Sequence, residues 1–274
     1  MKLSLALTPQ KAAFAPLLFA GDMEHGIKRA AELGYEGIEL NILDPTKLDT
    51  DKLIALIHAY NMEVVALGTG QAYIEEGISL SDPDFAIRTK AVERLKNHIK
   101  LAQELDAQVV IGGIRGKFSL DESVKQVQYE GALNATHECA QFANKLGVTL
   151  TVEPINRYET NFINTVEEGV SFLQKLGITQ VKLLVDTFHM NIEEKSIIES
   201  LKAAKHKLSH VHLVDSNRLA PGQGHVDFKS VIRTLQDIGY EGYLSAEILP
   251  KPDDETAARL NIMHVRKLLS EQDF

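Results

Sequence analysis

The chain has 274 residues, 44% of them hydrophobic, enough to bury one large core. Lys+Arg number 29 against 38 Asp+Glu, for a net charge of −9, and no basic run offers a footprint for a polyanion, so no nucleic-acid partner is expected. No stretch approaches the roughly 18 apolar residues of a membrane span. The one cysteine, Cys139, has no internal disulfide partner and reads as a packed apolar side chain, which suits a reducing, cytoplasmic setting.

Short apolar runs alternate with longer segments of helical period. Residues 3–7 read as a first strand; the run is too short, and too soon interrupted by Pro9 and Lys11, for a signal peptide. Asp22 is placed to cap a helix that reaches Leu33 and is closed by Gly34. Strands follow at 37–40 and 63–67 with a helix over 49–60 between them, and a long helix covers 84–105. Residues 108–111 form a fourth strand. A helix over 120–146 follows, and Ser119-Leu-Asp-Glu122 reads as its capping box. Residues 148–152 form a fifth strand, with a second capping box at Thr165-Val-Glu-Glu168. Strands six to eight fall at 181–185, 208–214 and 242–246, with a short helix near 196–204 and a closing helix over 254–270.

Eight strand–helix units predict an α/β fold, a single (β/α)8 TIM barrel spanning 1–274 as one domain. A doubly wound sheet would place a glycine-rich phosphate turn after the first strand, where Thr8-Pro9-Gln10-Lys11 stands instead.

In such a barrel the C-terminal strand ends converge on one site. Strand five runs into Glu153, strand six into Asp186, strand seven carries His210 and His212, and strand eight runs into Glu247. Carboxylates with one imidazole suit a hard or borderline divalent ion, and three converging carboxylates repel one another unless a cation offsets them. His210 and His212 share a strand face, and a satisfied core histidine is the simpler reading of His210. His25, His58, His98, His137, His206 and His264 lie in helical segments and read as solvated. Arg115 and Lys117 read as exposed loop charges, with pairing to a substrate carboxylate or phosphate as the alternative. Tyr73 and Ile74 lie in the long 68–83 segment, which is either a lid or an ordinary connection.

Glu153-Pro-Ile-Asn-Arg-Tyr-Glu159-Thr, Asp186-Thr-Phe-His189, His210-Val-His212 with Arg218, and Glu247 resemble the ketose 3-epimerases of the xylose-isomerase-like barrel superfamily, over essentially the whole chain. Gly68-Thr-Gly-Gln-Ala-Tyr73 and Ser216-Asn-Arg-Leu-Ala-Pro-Gly-Gln-Gly224 resemble the subgroup that interconverts 5-keto-L-gluconate and D-tagaturonate. The resemblance implies a cofactor of one divalent ion, Mn²⁺ first and Co²⁺, Mg²⁺ or Zn²⁺ otherwise, on Glu153, Asp186, His212 and Glu247. It implies Glu153 and Glu247 as the catalytic acid–base pair, and Glu159, His189 and Arg218 as substrate contacts. It further implies a small sugar substrate and a homo-oligomer, dimer or tetramer.

Two rivals share the scaffold. An aldose–ketose isomerase would move a proton between adjacent carbons instead of inverting one. A DNA-repair nuclease of the endonuclease IV type needs further histidines at early strand ends, where Asn41, Gly68 and Gly112 stand. A catalytically dead binding protein would have no need of both glutamates and the full ligand set.

Overall fold

Leucine occupies every second position of β1 (Lys2–Leu7), and that alternation decides which way the sheet faces. Leu3, Leu5 and Leu7 join the main hydrophobic core, while Ser4, Ala6 and, just beyond, Thr8 are buried on the other face. The computed structural model describes residues 1–11 and 16–271. Its strands are β1, β2 (Gly37–Asn41), β3 (Glu63–Gly68), β4 (Gln108–Ile111), β5 (Leu150–Val152), β6 (Val181–Asp186), β7 (Leu208–His212) and β8 (Tyr243–Ala246). They pair in parallel and in sequence order, and β8 closes on β1. This is the predicted (β/α)8 barrel.

The division seen in β1 recurs around the ring. Ile38 and Leu40, Val109 and Ile111, Leu183 and Val185 belong to the core between strands and helices. The alternate positions point into the barrel, where Val65, Ala66, Val110 and Leu184 form a small cluster of their own. Above that cluster the inward positions turn polar, and these residues make the site.

The outer helices are α1 (Met23–Leu33), α2 (Thr50–Ala59), α3 (Gly70–Glu76), α4 (Phe85–Glu104), α5 (Glu122–Lys145), α6 (Val166–Leu176), α7 (Thr187–Glu193), α8 (Ile197–Ala204), α9 (Phe228–Asp237) and α10 (Asp254–Ser270). Asp22 caps α1 and Gly34 closes it in the left-handed region, at φ 93°. The capping box at Thr165 and Glu168 forms as expected. The one expected at Ser119 does not: Asp121 lies closer to the first turn and accepts from Ser123 N at 2.9 Å, while Ser119 Oγ only accepts from Asp121 N. Among the described residues no helix is long and apolar enough to cross a membrane.

Other departures have local causes. The fifth strand starts at Leu150 rather than 148, because Val148 N bonds back to Ala143 O at the end of α5. The seventh ends at His212 rather than 214, because the Val214 amide is taken by Thr187 Oγ1 at 2.8 Å. Two short helices were not expected, α3 inside the 68–83 segment and α7 directly after β6. His98 is not solvated. It is fully buried on α4, with Nε2 2.8 Å from Ile42 O and Nδ1 2.9 Å from Arg94 O, tying the end of β2 to that helix. Burial holds its pKa below the ordinary histidine value. His25, His58 and His206 are exposed, and His137 and His264 half-buried. Cys139 is buried, and burial pushes its thiol up to about 12.

Candidate active site and metal centre

Four adjacent strands deliver the four expected donors. Glu153 follows β5, Asp186 closes β6, His212 closes β7 and Glu247 follows β8; one donor atom from each lies within 4.8 Å of all the others. His212 Nδ1 stands 3.6 Å from Glu153 Oε1, 3.7 Å from Asp186 Oδ2 and 3.8 Å from Glu247 Oε2. Donors bound at about 2.0–2.6 Å around one divalent ion are spaced on the order of 3–4.5 Å apart, so these positions fit. Buried polar atoms nearly always have hydrogen-bond partners. Glu153 Oε1, Asp186 Oδ2 and His212 Nδ1 are buried, face this point and have none among the described residues. The residues therefore fit a divalent cation. Asp186 can offer Oδ2 because its other oxygen caps α7, accepting from Phe188 N at 2.7 Å.

Residues behind the donors hold them in place. On β2 the lone charged side chain, Glu39, is fully buried, and its Oε2 accepts from His212 Nε2 at 3.0 Å, His210 Nε2 at 2.9 Å and Ser245 Oγ at 3.0 Å. Donation from Nε2 leaves the Nδ1 lone pair of His212 for the cation, the carboxylate–histidine–metal arrangement. The reading of His210 as a satisfied core histidine is met in part: Nε2 bonds to Glu39, but the buried Nδ1 has no hydrogen-bond partner among the described residues. Gly112 makes room for the Glu153 carboxylate, since a Cβ there would lie 2.7 Å from Glu153 Oε2.

Arg115 is not an exposed loop charge. It is 2% exposed, and its guanidinium donates to Glu153 O at 2.7 Å, Phe162 O at 2.8 Å, Ile111 O at 3.2 Å and Ile163 O at 3.3 Å. Those carbonyls are its partners in place of a carboxylate, so it braces the backbone that carries Glu153. Burial lowers its pKa to about 10. Lys117 is exposed, as expected.

The three expected substrate contacts form one network with the donors. Arg218 Nη1 donates to Glu159 Oε1 at 2.9 Å and Nη2 to Glu247 Oε2 at 3.3 Å, with the guanidinium 4.9 Å over the Phe188 ring. Asn156 Nδ2 donates to Glu159 Oε1 at 2.9 Å and to His189 Nδ1 at 2.8 Å. Burial lowers the His189 pKa to about 4, so the ring is neutral; with Nδ1 accepting, its proton is on Nε2, 3.9 Å from both Glu153 Oε1 and Asp186 Oδ2.

The field is strongly anionic. Burial first, then the neighbouring carboxylates, raise Glu153 to about 8 and Glu247 to about 7, with His212 opposing in each case. Burial works against a charged His212, but Glu39 and then Glu247 raise its pKa well above the ordinary value. Positive charge is favoured at that nitrogen, as a divalent ligand would supply. Glu39 is lowered: burial opposes its charge, and the two histidines overcome it.

Glu39, Asn156 and Gly112 escaped the sequence reading. A glutamate at an alternate position inside Gly37-Ile-Glu-Leu-Asn41 was the available signal for the first. A cavity of about 370 Å³ opens above the cluster, reached by Glu159, His189, Arg218 and also Ile74 of α3. Tyr73 is half-buried and does not line it.

A barrel with an acidic, metal-compatible cluster and two high-pKa carboxylates at its C-terminal strand ends defines a class of enzyme that moves protons on small substrates. The chain belongs to the xylose isomerase-like TIM barrel family, whose model matches residues 27–268, and is a carbohydrate isomerase of the ketose 3-epimerase type. A D-psicose 3-epimerase of Ruminiclostridium cellulolyticum is 32% identical over 233 residues, 82% of this chain and 78% of that protein. An L-ribulose 3-epimerase of Methylomonas sp. is 32% identical over 263 residues, 90% of each chain. A solved L-ribulose 3-epimerase matches with a TM-score of 0.83 at 26% identity, covering 98% of this chain and 95% of that one. A D-allulose 3-epimerase from Methylomonas sp. in complex with D-allulose matches at 0.80 and 26%, covering 97% of each.

Proposed function

We propose that this protein inverts the carbon beside the ketone of a sugar through a cis-enediolate, with Glu153 and Glu247 as the acid–base pair. One observation carries the reading: two carboxylates, Glu153 after β5 and Glu247 after β8, flank one donor cluster from either side of β6 and β7, where one can take a proton and the other return one. Glu153, Asp186, His212 and Glu247 would hold one divalent ion, Mn²⁺ first and Co²⁺, Mg²⁺ or Zn²⁺ otherwise. When bound, such an ion polarises the ketone as a Lewis acid.

The residues then divide the work. Glu153 and Glu247 address opposite faces of a planar enediolate; one takes the proton from carbon and the other returns a proton to the far face. His189 Nε2–H and Arg218 donate to the oxygen on which charge develops, a contribution worth about 3 kcal/mol per donor. Glu159 positions Arg218 and can accept from a substrate hydroxyl. The substrate is a keto-acid sugar of the 5-keto-L-gluconate and D-tagaturonate pair, or a free ketose. Resemblance of the 68–73 and 216–224 segments supports the first, and the relatives named for D-psicose and L-ribulose support the second. The same resemblance supports a dimer or tetramer, which light scattering measures.

The test is an activity panel over 5-keto-L-gluconate, D-tagaturonate, D-psicose, D-tagatose and a ketose phosphate with added Mn²⁺, with products separated by chromatography. Ketose products inverted beside the carbonyl are expected. An aldose product without that inversion would assign the protein to the isomerases instead.

A further inference from the structure

The cavity has two chemically different walls. On the β5–β8 side stand the donor cluster, Glu159, His189 and Arg218. On the β2–β4 side the polar side chains include two carboxamides, Asn41 and Gln71. Asn41 closes β2, is 7% exposed, and its buried Nδ2 has no hydrogen-bond partner among the described residues. The residue paired with it in register is Gly68, where a Cβ would fall 2.0 Å from Asn41 Oδ1. Glycine is therefore what lets this carboxamide lie against the wall. Gln71, in the first turn of α3, is 4% exposed and lines the same cavity, and its side chain forms no hydrogen bond with the described residues. A buried carboxamide nitrogen without a partner, as in Asn41, is costly in a folded protein unless a ligand completes it, and Gln71 stands beside it at the same wall.

The described residues of that wall also lack the lysine or arginine side chains that phosphate sites commonly use. Among the described residues lining the cavity, Arg218 is the only arginine or lysine, and it is engaged by Glu159 and Glu247. Phosphate recognition relies on such cations, and the other charged groups around the cavity are mainly carboxylates. Carboxamides instead offer neutral N–H donors, which suit hydroxyl or carboxylate oxygens.

We propose that Asn41 and Gln71 form a distal subsite that hydrogen-bonds oxygen atoms at the end of an unphosphorylated sugar remote from the reacting carbon. The subsite selects for a hydroxyl or carboxylate terminus and against a phosphate. It rests on the epimerase reading only in taking the ligand to be a sugar.

Calorimetric binding to the Mn²⁺-loaded protein tests it, with a ketohexose, its terminal deoxy analogue, the matching keto acid and the terminal phosphate as ligands. Wild type should bind the deoxy analogue roughly 3- to 10-fold more weakly than the better of the ketohexose and the keto acid. The phosphate should bind no better than the deoxy analogue. Asn41→Ala and Gln71→Met, each checked for a native melting transition, should weaken that better ligand by a similar factor and leave the deoxy analogue unchanged. Whichever of hydroxyl and carboxylate loses more identifies the natural terminus. Equal weakening of every ligand, tightest binding by the phosphate, or no binding by any of them overturns the subsite. Solvent deuterium exchange beside the ketone separates the two readings: terminus-dependent binding without exchange would refute the epimerase and leave the subsite standing.

Discussion

Glu39 shows how much of a metal-type site is made by residues that touch no substrate. Its single oxygen orients two histidines and a serine, and its charge makes His212 a better donor. Loss of such a partner typically costs 10–100-fold in metal affinity. Glu39→Gln should weaken Mn²⁺ binding by about that factor, read by metal titration, while circular dichroism stays native. Unchanged affinity would remove Glu39 from the site. Gly112→Ala makes a second test, because the added methyl meets the Glu153 carboxylate at 2.7 Å. Turnover should fall at least about tenfold with stability nearly kept, since the far end of a side chain can shift; a fully active variant would show that Glu153 need not sit where it does. At this scale the clustering of Glu153, Asp186, His212 and Glu247 was legible in the sequence because each stands at the end of a strand. Arg115 was not, because its partners are backbone carbonyls at the end of β4 and in the segment between β5 and α6, and no pattern of residue types marks those. His98 was misread for the same reason.

Elements place these residues, and most were legible from period alone. Strand and helix order followed from alternation and capping residues, including the box at Thr165. The boundaries of β5 and β7 were missed where a tertiary contact ended the strand: Thr187 takes the amide after β7, and α5 takes the amide before β5. The segment after β7 has a role its composition conceals. Asp215 is fully buried and accepts from the amides of Ser216 at 2.7 Å, Gly222 at 2.9 Å, Gly224 at 2.7 Å and Val226 at 3.2 Å. That cradle holds Arg218 in the left-handed region at φ 63°, a conformation that surrounding bonds must maintain in a non-glycine residue. Arg218 O in turn accepts from Leu249 N at 2.9 Å, linking the segment to the chain just beyond Glu247. Asp215→Ala should therefore lower kcat/KM at least about tenfold and cost about 1–3 kcal/mol, a melting shift of several degrees. Wild-type kcat/KM in that variant would show that Arg218 holds its place without the cradle.

Across the whole molecule, the barrel concentrates negative charge at one end of its interior, and stability must respond. A carboxyl whose folded pKa lies above its unfolded one favours folding while protonated and loses that advantage as pH rises through the folded value. Burial and neighbouring carboxylates raise Glu153 to about 8 and Glu247 to about 7. His212, raised despite its burial, gains a stabilising charge that is likewise lost with rising pH. All three act in one direction between about pH 5 and about pH 8. Glu39, being lowered, contributes fully above its unfolded value and adds no slope in that window. Chelator-treated protein should thus melt at progressively lower temperature across this range. Saturating Mn²⁺, which needs deprotonated ligands, should remove the slope, so the gap between the two widens with pH. A gap that stays constant or narrows would contradict the site.

Inversion of the carbon beside a ketone by two carboxylates is tested most directly by running the Mn²⁺-loaded protein on its best ketose or keto acid in D₂O. One solvent deuterium is expected at that carbon in the inverted product, with loss of inversion in Glu247→Gln. Inversion without deuterium, or near-wild-type turnover by Glu247→Gln, would contradict it.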